Sequence, residues 1–172
     1  MKAITKTTWS LIILMMSGVL AMTNCSSSNT DSSKFMKKAW QDGVAEIQVC
    51  QLALQRSQNP DVRQFAERMM RDHIQIDDEL KQLAARKNVE LPQGIGAEKK
   101  LTNEKLALLS GSEFDKQFME HNVEDHQGDV KDFKEQVDTG TDADVKAFAV
   151  KTLAMLQTHL QLSKDVAGKV KS

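Results

Sequence analysis

Three of the four histidines in this chain stand where helical periodicity calls for an apolar residue. Met119, Val123, His126, Val130, Phe133 and Val137 are spaced four, three, four, three and four apart, the rhythm of a helix seam turned toward a core. Val62, Ala66, Met69, His73, Ile76, Leu80 and Leu83 repeat that rhythm around His73. Val145, Ala149, Thr152, Leu156, His159, Ser163 and Val166 repeat it around His159. A neutral imidazole in an apolar core requires hydrogen-bond partners or a metal ion. Three seams that each spend a core position on histidine are expected to meet.

A carboxylate completes the expected set. If the chain folds back at Asn59-Pro60, Glu46 lies about thirteen residues before the break and His73 about thirteen after it, which places them at one height at 1.5 Å per residue. His126 and His159 flank Gly140 less evenly, about fourteen residues before and about nineteen after, an offset of roughly 7 Å. The expected centre is one divalent metal, zinc, iron or copper, held by Glu46, His73, His126 and His159, one ligand from each helix. Asp72 or Asp125 would orient the imidazoles. The alternative is a buried hydrogen-bond network of the histidines with Glu46, Thr152 and the backbone, in a module that serves structure or interaction. Di-iron chemistry of the ferritin kind requires paired Glu-x-x-His motifs. Met70, Val123 and Leu156 stand three residues before the three seam histidines, so that pair is not assembled here. Cys50, one turn from Glu46, reads as a small buried apolar residue, and His121-Asn122-Val123-Glu124 reads as surface. No nucleophilic triad and no glycine-rich phosphate loop is present, so no enzymatic activity follows from the sequence.

These side chains need helices to position them. With 172 residues the chain suits one domain. Two prolines, eight glycines and the absence of tyrosine leave few breakers and few strand-favouring residues. Helices are expected over about 34–57, 61–87, 112–137 and from 141 to near the C-terminus. A fifth, short one is expected over 97–109, inside the long connection that starts with Leu91-Pro92 and its two following glycines. Ser112 with Asp115 has the form of a capping box, and Asp142 or Thr141 suits the last helix start. The fold class is therefore all-α, a ferritin-like four-helix bundle over 34–172 with one long crossover connection carrying a short extra helix. Net charge is −1 with both signs interspersed, which lacks the clustered basic face of a nucleic-acid binder.

The N-terminus reads as an address. Lys2 and Lys6 precede a nearly apolar run from Trp9 to Ala21, too short to span a bilayer and of signal-peptide length. Cys25 and the polar Ser26-Ser27-Ser28-Asn29 that follow resemble the lipobox of bacterial lipoproteins, with Asn24 where that pattern prefers a small residue. Cleavage after Ala21 is the competing reading. Residues 1–25 are thus expected to be a signal peptide with a lipobox and 26–33 a polar tether. The domain is expected to be exported to the periplasm or cell envelope, with membrane contact through a lipid on Cys25. Only Cys50 then remains, and no structural disulfide is expected.

Taken together, Phe35, Ala39, Glu46, Gln51-Leu52-Ala53, Phe65-Ala66, Asp72-His73, Leu109-Ser110-Gly111, Phe114-Asp115, Asp125-His126, Phe133 and His159-Leu160 resemble the bacterial "domain of unknown function 4142" family. The resemblance runs from about Phe35 to Val166. Its most specific part is the Asp-His pair repeated on two helices. It implies an exported, often membrane-anchored protein of ferritin-like fold and implies no settled biochemical role. The family pattern carries Leu-Pro before the last histidine. Leu153-Ala154 stands here, without the proline that would kink the helix.

Expressed in a bacterial host, the wild-type protein should partition into detergent and gain the mass of an acylated cysteine. Cys25→Ala should stay in the aqueous phase. Equal partition and equal processed mass would refute lipidation.

Overall fold

Asn59 both ends one helix and starts the next. Its Oδ1 accepts hydrogen bonds from the backbone N–H groups of Asp61 and Val62 at 2.9 and 3.4 Å, and Pro60 occupies the first helical position, where its missing N–H costs nothing. The computed structural model describes residues 25–170. Helices α1 (Cys25–Arg56) and α2 (Pro60–Arg86) flank this turn. A loop leads to the short α3 (Ala97–Ala107), followed by α4 (Gly111–Thr139) and α5 (Ala143–Val170). Asp142 caps α5 by accepting from Asp144 and Val145 N–H at 3.0 and 3.1 Å. The Ser112 cap is not formed; α4 starts one residue earlier, at Gly111, whose φ of 59° suits a glycine. Among the described residues there is no strand, and no helix is long and apolar enough to cross a membrane.

Two apolar clusters fix the helix directions. One joins the end of α1 (Ala53), the start of α2 (Val62, Phe65), the start of α4 (Phe114, Phe118) and the end of α5 (Val166). The other joins the start of α1 (Met36), the end of α2 (Leu80, Leu83), the end of α4 (Phe133) and the start of α5 (Val145, Phe148). Hence α1/α2 and α4/α5 are antiparallel hairpins, while α2 and α4 run parallel and are joined by the crossover that carries α3. This is the connectivity expected from a single long connection. The crossover is strapped to α1: Trp40 Nε1 donates to the Pro92 carbonyl and Gln41 Nε2 to the Gly94 carbonyl, both at 3.0 Å. Without a proline, α5 runs unbroken.

Two expectations are corrected. Residues 26–33, expected as a polar tether, extend α1, and Ser32 is buried. The stretch holds neither Pro nor Gly, so once the packed part of α1 exists the helix propagates back through it. The buried face of α4 is also rotated from the apolar reading. Asn122, Asp129 and Gln136 are buried, while Val123, Val130 and Val137 are half-buried flanks. Residues 1–24, most of the expected signal peptide over 1–25, and the side chain of Cys25 lie outside the described residues.

Between the two apolar clusters lies a polar layer, and one glycine lets it close. A Cβ on Gly43 would overlap the carboxylate of Asp77 on α2. Gly43→Ala, which in an open helix would stabilise through propensity, should here cost about 1–3 kcal/mol through overpacking. Urea unfolding tests this. The double variant Gly43→Ala/Asp77→Ala should recover more than the single costs add up to.

Candidate metal centre

His73, His126 and His159 meet in the polar layer. They are buried, at 3, 0 and 0 % exposure. Their ring centroids form a nearly equilateral triangle, 5.7 Å from His73 to His126 and 5.4 Å for each of the other two pairs. One nitrogen of each lies within 4.8 Å of the other two. The offset counted along α4 and α5 closes for a geometric reason. Side chains lean toward the N-terminus of their own helix, so on antiparallel neighbours they lean toward each other.

The tautomers of two rings follow from their partners. His126 Nδ1 is 2.9 Å from the Asn122 carbonyl oxygen, which can only accept, so Nδ1 carries the proton and Nε2 presents a lone pair. His159 Nε2 donates to Asp72 Oδ2 at 3.1 Å, so Nδ1 presents the lone pair. Arg68 Nε and Arg71 Nε flank that carboxylate at 3.5 and 3.8 Å. Both lone pairs, together with both nitrogens of His73, are buried without a hydrogen-bond partner. Glu46 and Thr152, the partners a buried network would use, accept nothing from an imidazole.

All three imidazoles are held neutral. Burial is the main cause. It pushes His73 well below the usual value, with His126 and His159 adding repulsion, and lowers His126 to about 4 against the pull of the Asn122 carbonyl. It also lowers His159, with Asp72 opposing. Neutral imidazole is the form that ligates.

Glu46 is buried but stands outside the triad. Its Oε1 accepts from the Cys50 thiol at 3.6 Å, and Oε2 has no partner. Burial, then Asp125 and Asp129, raise its pKa well above the ordinary value. Burial and Glu46 raise the Cys50 thiol likewise. Asp72 is an orienting group, across the bundle on His159 and not on its neighbour His73. Asp125 acts on His126 only through its charge and pairs with Lys99 Nζ at 3.0 Å. Asn122 is buried, not at the surface, and its amide donates to the Phe118 carbonyl at 2.8 Å.

The sequence reading missed Asp42, Asp77 and Asp129, all buried in or beside this layer. Asp77 is raised to about 7 by burial and Asp78, and Asp129 well above its usual value by burial, Asp125 and Asp42. Their helical register was the available signal: Asp77 is one turn from His73, and Asp129 one turn from His126. A cavity of about 10 Å³, the size of a single water, lies beside His73 and is walled by Asp42, Gly43, Asp129 and Thr152 among others.

The family described as "Domain of unknown function (DUF4142)" matches residues 18–166. The chain belongs to this family. The match takes in α1 to α4 of this DUF4142 protein, α5 as far as Val166, and His73, His126 and His159. No curated protein matches it. Among solved structures it resembles a crystal structure of a DUF305 fragment from Deinococcus radiodurans, with a TM-score of 0.72 at 17 % identity, over 80 % of this chain and 95 % of that one. At that identity the likeness is one of fold.

The depressed imidazole pKa values set a pH dependence. The folded state binds fewer protons than the unfolded chain, whose histidines titrate near 6.5. The stability they confer is complete above that value and is lost as pH falls toward about 4. In chelator, His126→Leu should therefore gain about 2 kcal/mol relative to wild type between pH 7 and pH 4.5. Urea unfolding at the two pH values measures it. A constant difference would show that His126 is not held neutral.

Proposed function

We propose that this DUF4142 domain binds one transition-metal ion through His73, His126 and His159, at the bacterial cell envelope and tethered by a lipid on Cys25. Four buried imidazole nitrogens without partners carry the metal reading. Each unpaired buried polar atom costs about 1–3 kcal/mol, and three convergent lone pairs are what a metal satisfies. A metal 2.0–2.1 Å from each nitrogen sets nitrogen separations of about 3.4 Å, so ring shifts of about 1 Å close the set. Asp72 on His159 and the Asn122 carbonyl on His126 are the far-side partners that ligating histidines use to fix tautomer and orientation.

An all-imidazole donor set suits zinc, copper or iron. It brings no charge of its own, so the carboxylate of Asp72 supplies the nearest negative charge. Glu46, whose Oε1 accepts from Cys50, is left out of the ligand set. The envelope location is supported by the charged start, the apolar run and the cysteine with polar residues after it, as read from the sequence.

Purified wild type should contain metal. At free metal one hundred times the dissociation constant, the folded state gains about 2.7 kcal/mol, a rise of roughly 5–10 °C in Tm for a domain of this size. His73→Leu and His126→Leu should melt identically with and without chelator, and Glu46→Gln should keep the metal response. Wild type that purifies metal-free and melts identically in chelator, zinc, iron and copper would overturn this reading.

A further inference from the structure

His73 lacks what the other two histidines have. On the outer side of its ring His126 finds the Asn122 carbonyl and His159 finds Asp72, whereas both nitrogens of His73 are buried without a partner. A neutral imidazole has one N–H and one lone pair. If one nitrogen of His73 turns its lone pair toward the other two rings, the second nitrogen carries the proton. No protein group accepts that N–H. A buried donor left in this state costs about 1–3 kcal/mol.

The cavity of about 10 Å³ lies at this ring. His73 borders it and neither His126 nor His159 does, so it sits on the outer side of His73 and not at the centre of the triad. Its volume matches one water molecule. Asp42, Asp129 and Thr152 bring the other polar side chains to its wall. The Asp42 carboxylate is taken up by Lys38 at 2.7 Å and Lys99 at 2.9 Å. Thr152 on α5 and Asp129 on α4 are buried, and neither side chain makes a hydrogen bond to another described residue. A water placed here accepts from the His73 N–H and donates to the Thr152 hydroxyl and to an Asp129 oxygen. Three hydrogen bonds are the usual complement of a buried water, and such a bridge is nearly as good as a direct bond.

We propose that one buried water in this cavity, held by Thr152 and Asp129, is the outer partner of His73, and that Thr152 is thereby a positioning residue for the metal set. The inference rests on the three-histidine reading, which turns one nitrogen of His73 inward. The three imidazoles are then oriented by three different acceptors: a main-chain carbonyl, a carboxylate and a water. Thr152 serves the histidines at one remove, through the water, and not by a bond to an imidazole. Its hydroxyl fixes which nitrogen of His73 offers the lone pair, the task that outer partners of ligating histidines perform.

NMR of the isotope-labelled full-length protein in chelator tests this without any metal. At neutral pH the long-range proton–nitrogen correlations of the His73 ring should show a single neutral tautomer, and its N–H should show cross-relaxation with a long-lived water. Thr152→Val keeps the shape and removes the hydroxyl. It should lose the water contact and leave His73 divided between its two tautomers, and Thr152→Ser should restore both properties. Zinc affinity, measured by competition with a chromophoric chelator, should fall about tenfold in Thr152→Val and return in Thr152→Ser. His126 should keep its Nδ1 proton in every variant, since its partner is the Asn122 carbonyl, and this establishes that each is folded. A wild-type His73 without a water contact would overturn the proposal. So would a Thr152→Val protein with the same single tautomer and the same zinc affinity as wild type. Wild type that shows the water and the single tautomer yet binds no zinc, copper or iron would overturn the metal reading and leave the water standing.

Discussion

Three neutral imidazoles share the waist of this bundle, and the surrounding structure answers to them. A core that buries only apolar groups would run continuously along four helices. Here it is divided into two clusters, and the histidine layer occupies the gap. The imidazoles converge because antiparallel helices lean their side chains toward each other. They stay neutral because burial penalises the charged form more than Asp72 and the Asn122 carbonyl favour it. Two of them are fixed in ring orientation by acceptors on their outer sides, which leaves their lone pairs no direction but inward.

The acids of the same layer obey the same balance with opposite sign. Burial raises Glu46, Asp77 and Asp129, so each tends to hold its proton where an exposed carboxyl would have lost it. Asp42 keeps Lys38 and Lys99 as partners, and Asp125 keeps Lys99. The layer therefore grades from neutral imidazoles inside, through acids whose pKa values burial raises, to ion-paired acids toward α3. A glycine where α1 passes Asp77 is the steric condition for that gradation, since any side chain there would displace a carboxylate.

Membership of the DUF4142 family and the likeness to a DUF305 fragment place the helices and say nothing of chemistry by themselves. Many functions are grafted on helical bundles, and the grafted part is the site. In this chain the candidate site is three histidines with acceptors on the outer sides of two of them, contributed by positions that pack against one another across different helices.

The sequence by itself determined the order of the helices, the break at Asn59-Pro60, the cap at Asp142, the crossover, and the burial of His73, His126 and His159. Those properties are local or periodic: a proline stops a helix, an Asx side chain caps one, and a seam of period 3.6 turns inward. On α2 and α5 every residue of the apolar seams is buried. On α4 that is not so. An apolar count favoured Val123 and Val130, whereas packing against α1 and α5 buried Asn122 and Asp129. Only the tertiary structure decided that Glu46 turns to Cys50 instead of joining the imidazoles, that Asp72 serves a histidine 87 residues away, and that Asp42 and Asp129 wall the small cavity beside His73. Each depends on rotation of one helix against another by a fraction of a turn. That rotation is set by the volumes of side chains on neighbouring helices, so no single stretch of sequence contains it.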